Sequence, residues 1–266
     1  MHSVLALLRA SYLSAASYRM ALILSFVALF VSVVPIYFIS GALQPVVADS
    51  IATEGGQYFG FLLVGLGALY AITAATGALP GAIAGSIGSG TLESLLVTRT
   101  PLHQILLGMI GYPLLMGLLR AVVMVVGGAF VGVQVTWTAM PLAALVVTLL
   151  ILAYLGFGLV AGALVLIFRT SGPLITAVIA GSGLFGGVYY STTVIPAWLQ
   201  NLSAFVPLTY GLRALRMLLL GGAPTADVLN DISVLTLMAL VLFLSCGAIF
   251  LAALRYARSS GTLSQY

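Results

Sequence analysis

Residues 121–168 read AVVMVVGGAFVGVQVTWTAMPLAALVVTLLILAYLGFGLVAGALVLIF, and none of them carries a charge. An apolar stretch of about 20 residues is enough for one helix to cross a lipid bilayer. This run is long enough for two such helices, and the more polar segment GVQVTWTAMP divides it. Trp137 lies in that segment, where an indole ring favours the membrane interface. The stretch therefore predicts two membrane-spanning helices joined by a short connection.

The composition of the whole chain extends this interpretation. Of 266 residues, 62% are hydrophobic and 5% are charged, whereas soluble domains carry about 25% charged residues. The chain is thus predicted to be an integral membrane protein. Its basic residues are all arginine and do not cluster as nucleic-acid binding requires, so no nucleic-acid partner is expected. Cys246 is the single cysteine, which excludes an intramolecular disulfide and a cysteine-based metal cluster.

Long charge-free intervals recur along the sequence and are broken by polar or turn-forming clusters. They lack the strict alternation of barrel strands. We therefore predict an all-α membrane protein with a single transmembrane domain over residues 1–266. Its six spans are expected at about 20–42, 58–84, 104–131, 142–168, 172–192 and 232–254.

Arginine placement predicts the orientation. If the N-terminus is inside, six arginines fall on the inner side and two on the outer side, which agrees with the positive-inside rule. The inner set is Arg9, Arg19, Arg99, Arg169, Arg255 and Arg258, and the outer set is Arg213 and Arg216. Both termini are therefore predicted to be cytoplasmic. Residues 4–18 are predicted to form an interfacial helix, with a frayed start of the first span as the alternative.

The segment GSGTLESLLVTRTP, residues 88–101, is a short polar-edged element between the second and third spans. Ser89 or Thr91 can cap a helix whose first turn contains Glu93, where the helix dipole favours an acid. We predict a short amphipathic helix over 90–98 at the inner surface, with a plain linker as the alternative. The glycines resemble a phosphate loop, but that loop requires a lysine and the chain has none. Any ATP-driven action must come from a partner chain.

Residues 194–222 are too apolar for an ordinary external loop. Pro196 suits the first turn of a helix, and Pro207 interrupts the run before a second helix. Arg213 and Arg216 are three residues apart and share a face of that second helix. We predict two short helices that dip into the outer leaflet as a re-entrant hairpin, with two helices lying flat on the outer surface as the alternative.

Three further residues are candidates for a translocation path: Arg120, Tyr189 and Tyr190. Arg120 lies near the middle of the third predicted span, and an arginine at that depth indicates function by default. It either faces a wet cavity that attracts an anionic headgroup, or it bonds to backbone carbonyls or a tyrosine at a helix interface. The two tyrosines either line the path or anchor the chain at the membrane interface.

Two motifs give the sequence a family resemblance. The stretch GTLESLLVTRTP resembles the cytoplasmic loop between the second and third spans of ABC-2 type transporter permeases. The stretch IPAWLQNLSAFVPLTYGLRALR, residues 195–216, is similar to that family's segment before the last span, with its Pro-Leu-Thr-Tyr run followed by arginine. The motifs occur in the right order, and the resemblance covers nearly the whole chain. One departure is GSIGS before the first motif, where many family members have charged residues.

The resemblance implies specific roles. The inner element would be a coupling helix that docks on an ATPase subunit through Gly90, Thr91, Leu92, Glu93 and Leu96. The outer hairpin would cap the external mouth of the pathway through Pro196, Trp198, Pro207, Tyr210 and Arg213. Two ATPase subunits, which hold the ATP and magnesium, would serve two permeases, either two copies of this chain or one copy and a related permease. Membrane lipids complete the expected partners.

These inferences predict the permease subunit of an ATP-driven exporter in the plasma or inner membrane. Its expected substrate is an amphiphile, a lipid or a lipid-linked glycan, and no catalytic, cofactor or metal site is expected in this chain. The alternative is a secondary transporter that works alone, which requires ionisable groups within its spans. An intramembrane enzyme is disfavoured, because both histidines, His2 and His103, are near the inner interface and no acid lies in a predicted span.

Overall fold

The computed structural model of the chain describes residues 19–91, 101–221 and 226–259. Within these ranges every regular element is helical and no strand occurs. The predicted all-α fold is therefore confirmed for this part of the chain. The predicted interfacial helix at 4–18 lies outside the described residues, as do residues 92–98 of the predicted coupling helix.

Eight α-helices follow one another along the described residues. Their bounds are α1 (Arg19–Val47), α2 (Tyr58–Gly88), α3 (Leu102–Phe130), α4 (Met140–Phe168), α5 (Gly172–Phe185), α6 (Ala197–Ser203), α7 (Pro207–Leu219) and α8 (Ala226–Ser259). Short 3-10 segments occupy Ala48–Glu54, between α1 and α2, and Trp137–Ala139, directly before α4. Both segments lie at the same end of the bundle, which we call the outer end after the predicted orientation.

Five helices are long and apolar enough to cross a membrane: α1, α2, α3, α4 and α8. Each overlaps one of the six predicted spans. That these five helices cross a membrane at those positions stays a prediction. The predicted span at 172–192 contains only α5, a helix of 14 residues. At 1.5 Å per residue α5 is about 21 Å long, shorter than the ~30 Å hydrocarbon core of a bilayer. The six-span count therefore stays a prediction.

The early end of α5 has a local cause. Gly187 has a φ of 76°, a left-handed conformation that ends the helical path. The apolar side chain of Val188 is then fully buried against other helices. Residues 188–192 extended the predicted span because they are mostly apolar, but the chain folds them back onto the bundle.

The central helix of the bundle is α2. It packs along α3 and α4 and also contacts α1, α5 and α7, while α4 packs in turn along α8. About 67% of the membrane-length window of α2 is buried, against 11% for α1. The largest cluster of buried apolar side chains joins α2, α4, α7 and α8, and it includes Ile72, Leu150, Leu212 and Leu235. The helix α1 therefore lies at the periphery, and α2 contacts most of the other described helices.

Small residues allow α2 and α4 to approach closely. A Cβ placed on Gly158 of α4 would lie 2.8 Å from the carbonyl oxygen of Ala75 and 3.1 Å from that of Thr76. Close backbone contact of this kind is typical of helices packed within membranes. The seam between α2 and α4 is thus a tight contact that a larger side chain would force apart.

The two short helices predicted within 194–222 are present as α6 and α7. Val206 is extended, and Pro207 opens α7 at its first turn, where its missing N–H is tolerated. The helix α7 packs against α4, α8 and α2 and also contacts both 3-10 segments. It is therefore held within the outer end of the bundle. That α6 and α7 re-enter a membrane stays a prediction.

Candidate functional site

A buried ion pair joins α7 to the connection between α1 and α2. Nη1 of Arg216 lies 3.2 Å from Oε2 of Glu54. The second carboxylate oxygen of Glu54 accepts a hydrogen bond of 3.1 Å from Oγ of Ser191, in the chain after α5. All three residues are buried. We call Glu54, Ser191 and Arg216 the outer clamp, because they join α7 to the connection between α1 and α2 and to the chain after α5.

The rest of the Arg216 guanidinium is also bonded. It donates to the carbonyl oxygen of Phe61 at 3.3 Å, of Gly187 at 3.0 Å and of Val188 at 3.1 Å. Its central carbon lies 3.3 Å from the centroid of the Phe61 ring, a cation–π contact. A Cβ at Gly65 would lie 2.7 Å from the carbonyl oxygen of Val188 and 3.0 Å from Nη2 of Arg216. The absence of a side chain at Gly65 therefore lets this network form against α2.

The arginine of the outer clamp, Arg216, is charged at neutral pH. Burial lowers the pKa of Arg216 to about 10, and the carboxylate of Glu54 acts in the opposite direction. The guanidinium therefore keeps its proton at pH 7. Removing one partner of such a buried pair leaves the other charge unpaired and costs about 3–5 kcal/mol. The clamp is thus expected to resist separation of α7 from the chain before α2.

A second ion pair fixes α7 on its other side. Nε of Arg213 donates to Oδ2 of Asp231 at 2.6 Å, and Nη2 donates to Oδ1 of the same carboxylate. This bidentate bond raises the pKa of Arg213. The Asp231 side chain is 2% exposed and that of Arg213 is 42% exposed. The two arginines predicted to share a helix face therefore bind different neighbours, Arg216 towards α2 and Arg213 towards α8.

The remaining predicted gate residues lie in or beside the α6–α7 hairpin. Pro196 is exposed directly before α6, and Trp198 is exposed on α6. Pro207 is buried at the start of α7. The hydroxyl of Tyr210 donates to the carbonyl oxygen of Ala204 at 3.1 Å, and its ring lies 5.6 Å from the central guanidinium carbon of Arg213. Tyr210 thus joins the turn between α6 and α7 to the Arg213 ion pair.

The predicted path residues do not form one group. Tyr189 is exposed, and its carbonyl oxygen accepts a hydrogen bond of 2.9 Å from the hydroxyl of Tyr58 at the outer start of α2. The hydroxyl of Tyr190 donates to the carbonyl oxygen of Leu184. Arg120 is half-buried on α3, one turn from Gly117, which lies against the Tyr70 carbonyl oxygen of α2, 12 residues from Tyr58. Twelve helical residues span about 18 Å, so Arg120 and the tyrosine pair lie at different depths.

The predicted ATPase-docking element begins where α2 ends. Gly90 has a φ of 67°, which suits glycine at a helix C-terminus. The Thr91 N–H donates to the carbonyl oxygen of Ser86 at 2.9 Å, and the hydroxyls of Ser89 and Thr91 lie 2.8 Å apart. These contacts close the end of α2. The other three docking residues, Leu92, Glu93 and Leu96, lie outside the described residues, so the docking role stays a prediction.

Sequence reasoning missed the partners in these networks. It assigned no acidic partner to Arg213 or Arg216, and it gave Ser191 no role. A signal was present, because acids are so scarce in this chain that an arginine expected to be buried has few possible partners. Tyr154 of α4 is fully buried and donates to Oγ of Ser182 at 2.6 Å. It is a core residue.

An apolar cavity of about 290 Å³ lies between α2, α3, α4 and α7. Aliphatic side chains such as Val64, Val122, Val147 and Leu215 line it, and its one hydroxyl, on Thr148, donates to its own helix. Such a lining suits hydrocarbon. No group of three or more histidine, cysteine or acidic residues that could hold a metal ion occurs in residues 19–91, 101–221 and 226–259.

Comparison with known proteins agrees with the quoted motifs. The ABC-2 type transporter family matches residues 2–220 of the chain. The inner membrane transport permease YadH of Escherichia coli (strain K12) is 30% identical over 185 residues, which cover 69% of this chain and 68% of that protein. The permease of the same name from Shigella flexneri matches to the same extent. The resemblance recognised in the sequence is therefore confirmed.

Proposed function

Because the chain belongs to the ABC-2 type transporter family, we propose that it is the membrane-spanning permease of an ATP-driven exporter. Two permeases, either two copies of this chain or one copy and a related permease, would pair with two ATPase subunits. ATP and magnesium would bind to those subunits and not to this chain. The permease would lie in the inner membrane with both termini in the cytoplasm.

The observation that carries the proposal is the position of α2. The docking stretch begins directly after the last turn of α2, and α2 is the most buried of the long helices. A push on the docking stretch would therefore act on the helix that contacts α1, α3, α4, α5 and α7. This arrangement supports transmission of ATPase closure to the whole bundle through one element.

The ion pairs at the outer end of the bundle would keep α7 attached to its neighbours when the docking stretch moves α2. The outer clamp joins α7 to the start of α2, and the Arg213–Asp231 pair joins α7 to α8. In the proposed cycle, a displacement of α2 reaches α7 through the clamp. The α6–α7 hairpin, with Trp198 exposed on it, would then open or close the outer mouth. The substrate would be an amphiphile, a lipid or a lipid-linked glycan.

The test is co-purification of the full chain with candidate ATPase subunits. Glu93→Arg reverses a charge in the docking stretch, and Asp49→Arg makes the same reversal at an exposed site at the other end of the bundle. We expect Glu93→Arg to reduce recovery of the ATPase about tenfold, as loss of a charged contact in an interface does. Asp49→Arg should leave recovery unchanged.

Two outcomes would count against the proposal. One is equal ATPase recovery with wild type and Glu93→Arg. The other is transport by the purified chain alone, driven by an ion gradient, which would identify a secondary transporter. That alternative requires ionisable groups in the spans, and Arg120 is the one charged residue within the charge-poor helices α2 to α4.

A further inference from the structure

Arg120 is placed deep in the bundle. It belongs to α3, 10 residues from the outer end at Phe130 and 18 residues from Leu102. At 1.5 Å per residue it lies about 15 Å from the nearer end. The Cα–Cβ bond of a helical residue tilts towards the helix N-terminus, so the Arg120 side chain leans away from that nearer end. An arginine at such depth is costly unless it meets water or a counter-charge.

The face of α3 that bears Arg120 is half-buried: it is neither fully covered by protein nor fully exposed. Met116 and Val123, which share this face, are half-buried like Arg120 itself. The neighbouring face towards α2 is buried, as at Gly117. The face on the other side is exposed, as at Leu119, which is 41% exposed. Side chains that line a crevice between helices have intermediate burial of this kind.

The crevice lies between α1 and α3. Leu29 of α1 is buried in one cluster with Leu63 of α2 and Met124 of α3. Met124 is one helical turn from Arg120. The described α1 side chains before Leu29 are exposed or half-buried, and Leu24 and Val27 are 59% and 48% exposed. On the α1 face that carries Leu29, the preceding residues Ser25 and Phe26 are only half-buried. Arg120, one turn from Met124, therefore lies at the level of a less closely packed part of α1.

Tyr70 of α2 lies at the same level. A Cβ at Gly117, one turn from Arg120, would lie 3.4 Å from the Tyr70 carbonyl oxygen. The Tyr70 side chain packs with the Leu29 cluster and so lies on the α1 side of the seam between α2 and α3. Among the described residues, neither the Tyr70 hydroxyl nor the Arg120 guanidinium makes a hydrogen bond or an ion pair. Two polar groups at one depth thus remain available to a ligand.

Within residues 19–91, 101–221 and 226–259, no acid is placed to neutralise Arg120. Glu54 and Asp231 are paired with other arginines, and Asp49 and Asp227 are exposed near helix ends. The fifth acid, Glu93, precedes Pro101 and the whole of α3 in the sequence. A second copy of this chain would bring no acid to this depth, because its spans have the same sequence. A counter-charge must come from another molecule.

We propose that Arg120 and Tyr70 form a binding site for the anionic headgroup of an amphiphile. The inference rests on the proposed function and specifies that the transported amphiphile is anionic. The guanidinium presents two parallel N–H donors that match a phosphate or carboxylate, and the tyrosine hydroxyl adds a third. The hydrocarbon chains would lie against α1 on the face that carries Leu29, where the preceding Phe26 is half-buried. Arg120 would then select anionic over zwitterionic substrates.

Binding to the purified full chain in neutral detergent tests this site. The probes are a short-chain phosphatidic acid, phosphatidylcholine with the same acyl chains, and inorganic phosphate. We expect wild type to prefer phosphatidic acid, and Arg120→Gln to weaken that binding about tenfold or more without changing phosphatidylcholine binding. Tyr70→Phe should weaken it less. The matched control is Arg255→Gln, which removes the same charge from an exposed position near the end of α8 and should change neither affinity.

Several results would overturn the site. They are equal binding of the two lipids by wild type, unchanged phosphatidic acid binding in Arg120→Gln, and an equal loss for both lipids. Inorganic phosphate that binds as tightly as phosphatidic acid would indicate a free-anion site and would also overturn it. The assay needs no ATPase, so its result is independent of the proposed function. Lipid selectivity that depends on Arg120 can stand without ATPase association, and ATPase association can stand without that selectivity.

Discussion

Arg216 and Glu54 are 162 residues apart in the sequence, and their side chains meet at 3.2 Å in the buried outer end of the bundle. Glu54 ends the segment that connects α1 to α2, and Arg216 lies in the last turn of α7. Movement of the α6–α7 hairpin must therefore either carry the start of α2 with it or separate a buried ion pair. Because separation is costly, α7 and the outer end of α2 are expected to move together.

Arg216→Met should strongly destabilise the protein, because it leaves the Glu54 carboxylate buried without its partner. The expected loss is about 3–5 kcal/mol. Glu54→Gln combined with Arg216→Met removes both charges and should recover part of that loss. The apparent melting temperature of the detergent-solubilised chain, followed by size-exclusion chromatography, gives the order wild type, double variant, Arg216→Met. A double variant less stable than Arg216→Met would contradict the ion-pair assignment.

The Arg213–Asp231 pair should respond differently to loss of each partner. Arg213→Gln leaves Asp231, which is 2% exposed, buried without its counter-charge, whereas Asp231→Asn leaves an arginine that is 42% exposed to find water. Arg213→Gln should therefore lower the melting temperature more than Asp231→Asn, whose cost should be about 1 kcal/mol or less. Equal losses of stability in the two variants would show that contact with water does not compensate Arg213 for the loss of Asp231.

Gly158→Ala tests the close seam between α2 and α4. The new methyl would lie 2.8 Å from the Ala75 carbonyl oxygen, so the helices must separate, at an expected cost of about 1–3 kcal/mol. Gly181→Ala is the matched control on α5, because nothing lies within 4 Å of its added Cβ. That control should be neutral or slightly stabilising, since alanine favours a helix. Melting temperatures of the two variants provide the comparison.

Tyr154→Phe should cost about 1 kcal/mol, because the buried Ser182 hydroxyl loses the partner that now lies 2.6 Å away. Ser182→Ala in the Tyr154→Phe background removes the unpaired hydroxyl and should restore part of the stability. ATPase stimulation in a reconstituted complex should change little in either variant, since Tyr154 is fully buried in the core. A large loss of transport with unchanged stability would instead place Tyr154 on the substrate path.

The long helices were predictable because hydrophobic length is a local property of the sequence. Five predicted spans coincide with helices, and Pro207 was correctly placed at a helix boundary. The predicted span at 172–192 ran past the end of α5 because hydropathy does not distinguish a side chain buried by protein, such as Val188, from one that faces lipid. Local sequence patterns therefore predicted where helices lie along the chain more accurately than whether a side chain faces protein or lipid.

The site was less predictable because its contacts are between distant parts of the chain. The shared face of Arg213 and Arg216 followed from helical spacing, but their partners, Asp231 and Glu54, depend on how α7 packs between α2 and α8. Arg120 was singled out from its depth alone. Its position beside a less closely packed part of α1, one turn from the contact of Met124 with the Leu29 cluster, depends on how α1 packs, and that packing has no local signature in the sequence.

The central position of α2 also bears on how the protein is made. A ribosome completes α2 before it synthesises α3, α4 or α7, the helices that later surround it. In the bilayer, the newly inserted α2 would expose the small and glycine-rich faces that its neighbours eventually cover. Those faces attract other helices through close packing and not through hydrophobicity. During biogenesis, then, α2 is the part of this permease most dependent on prompt arrival of its neighbours or on protection by an insertase.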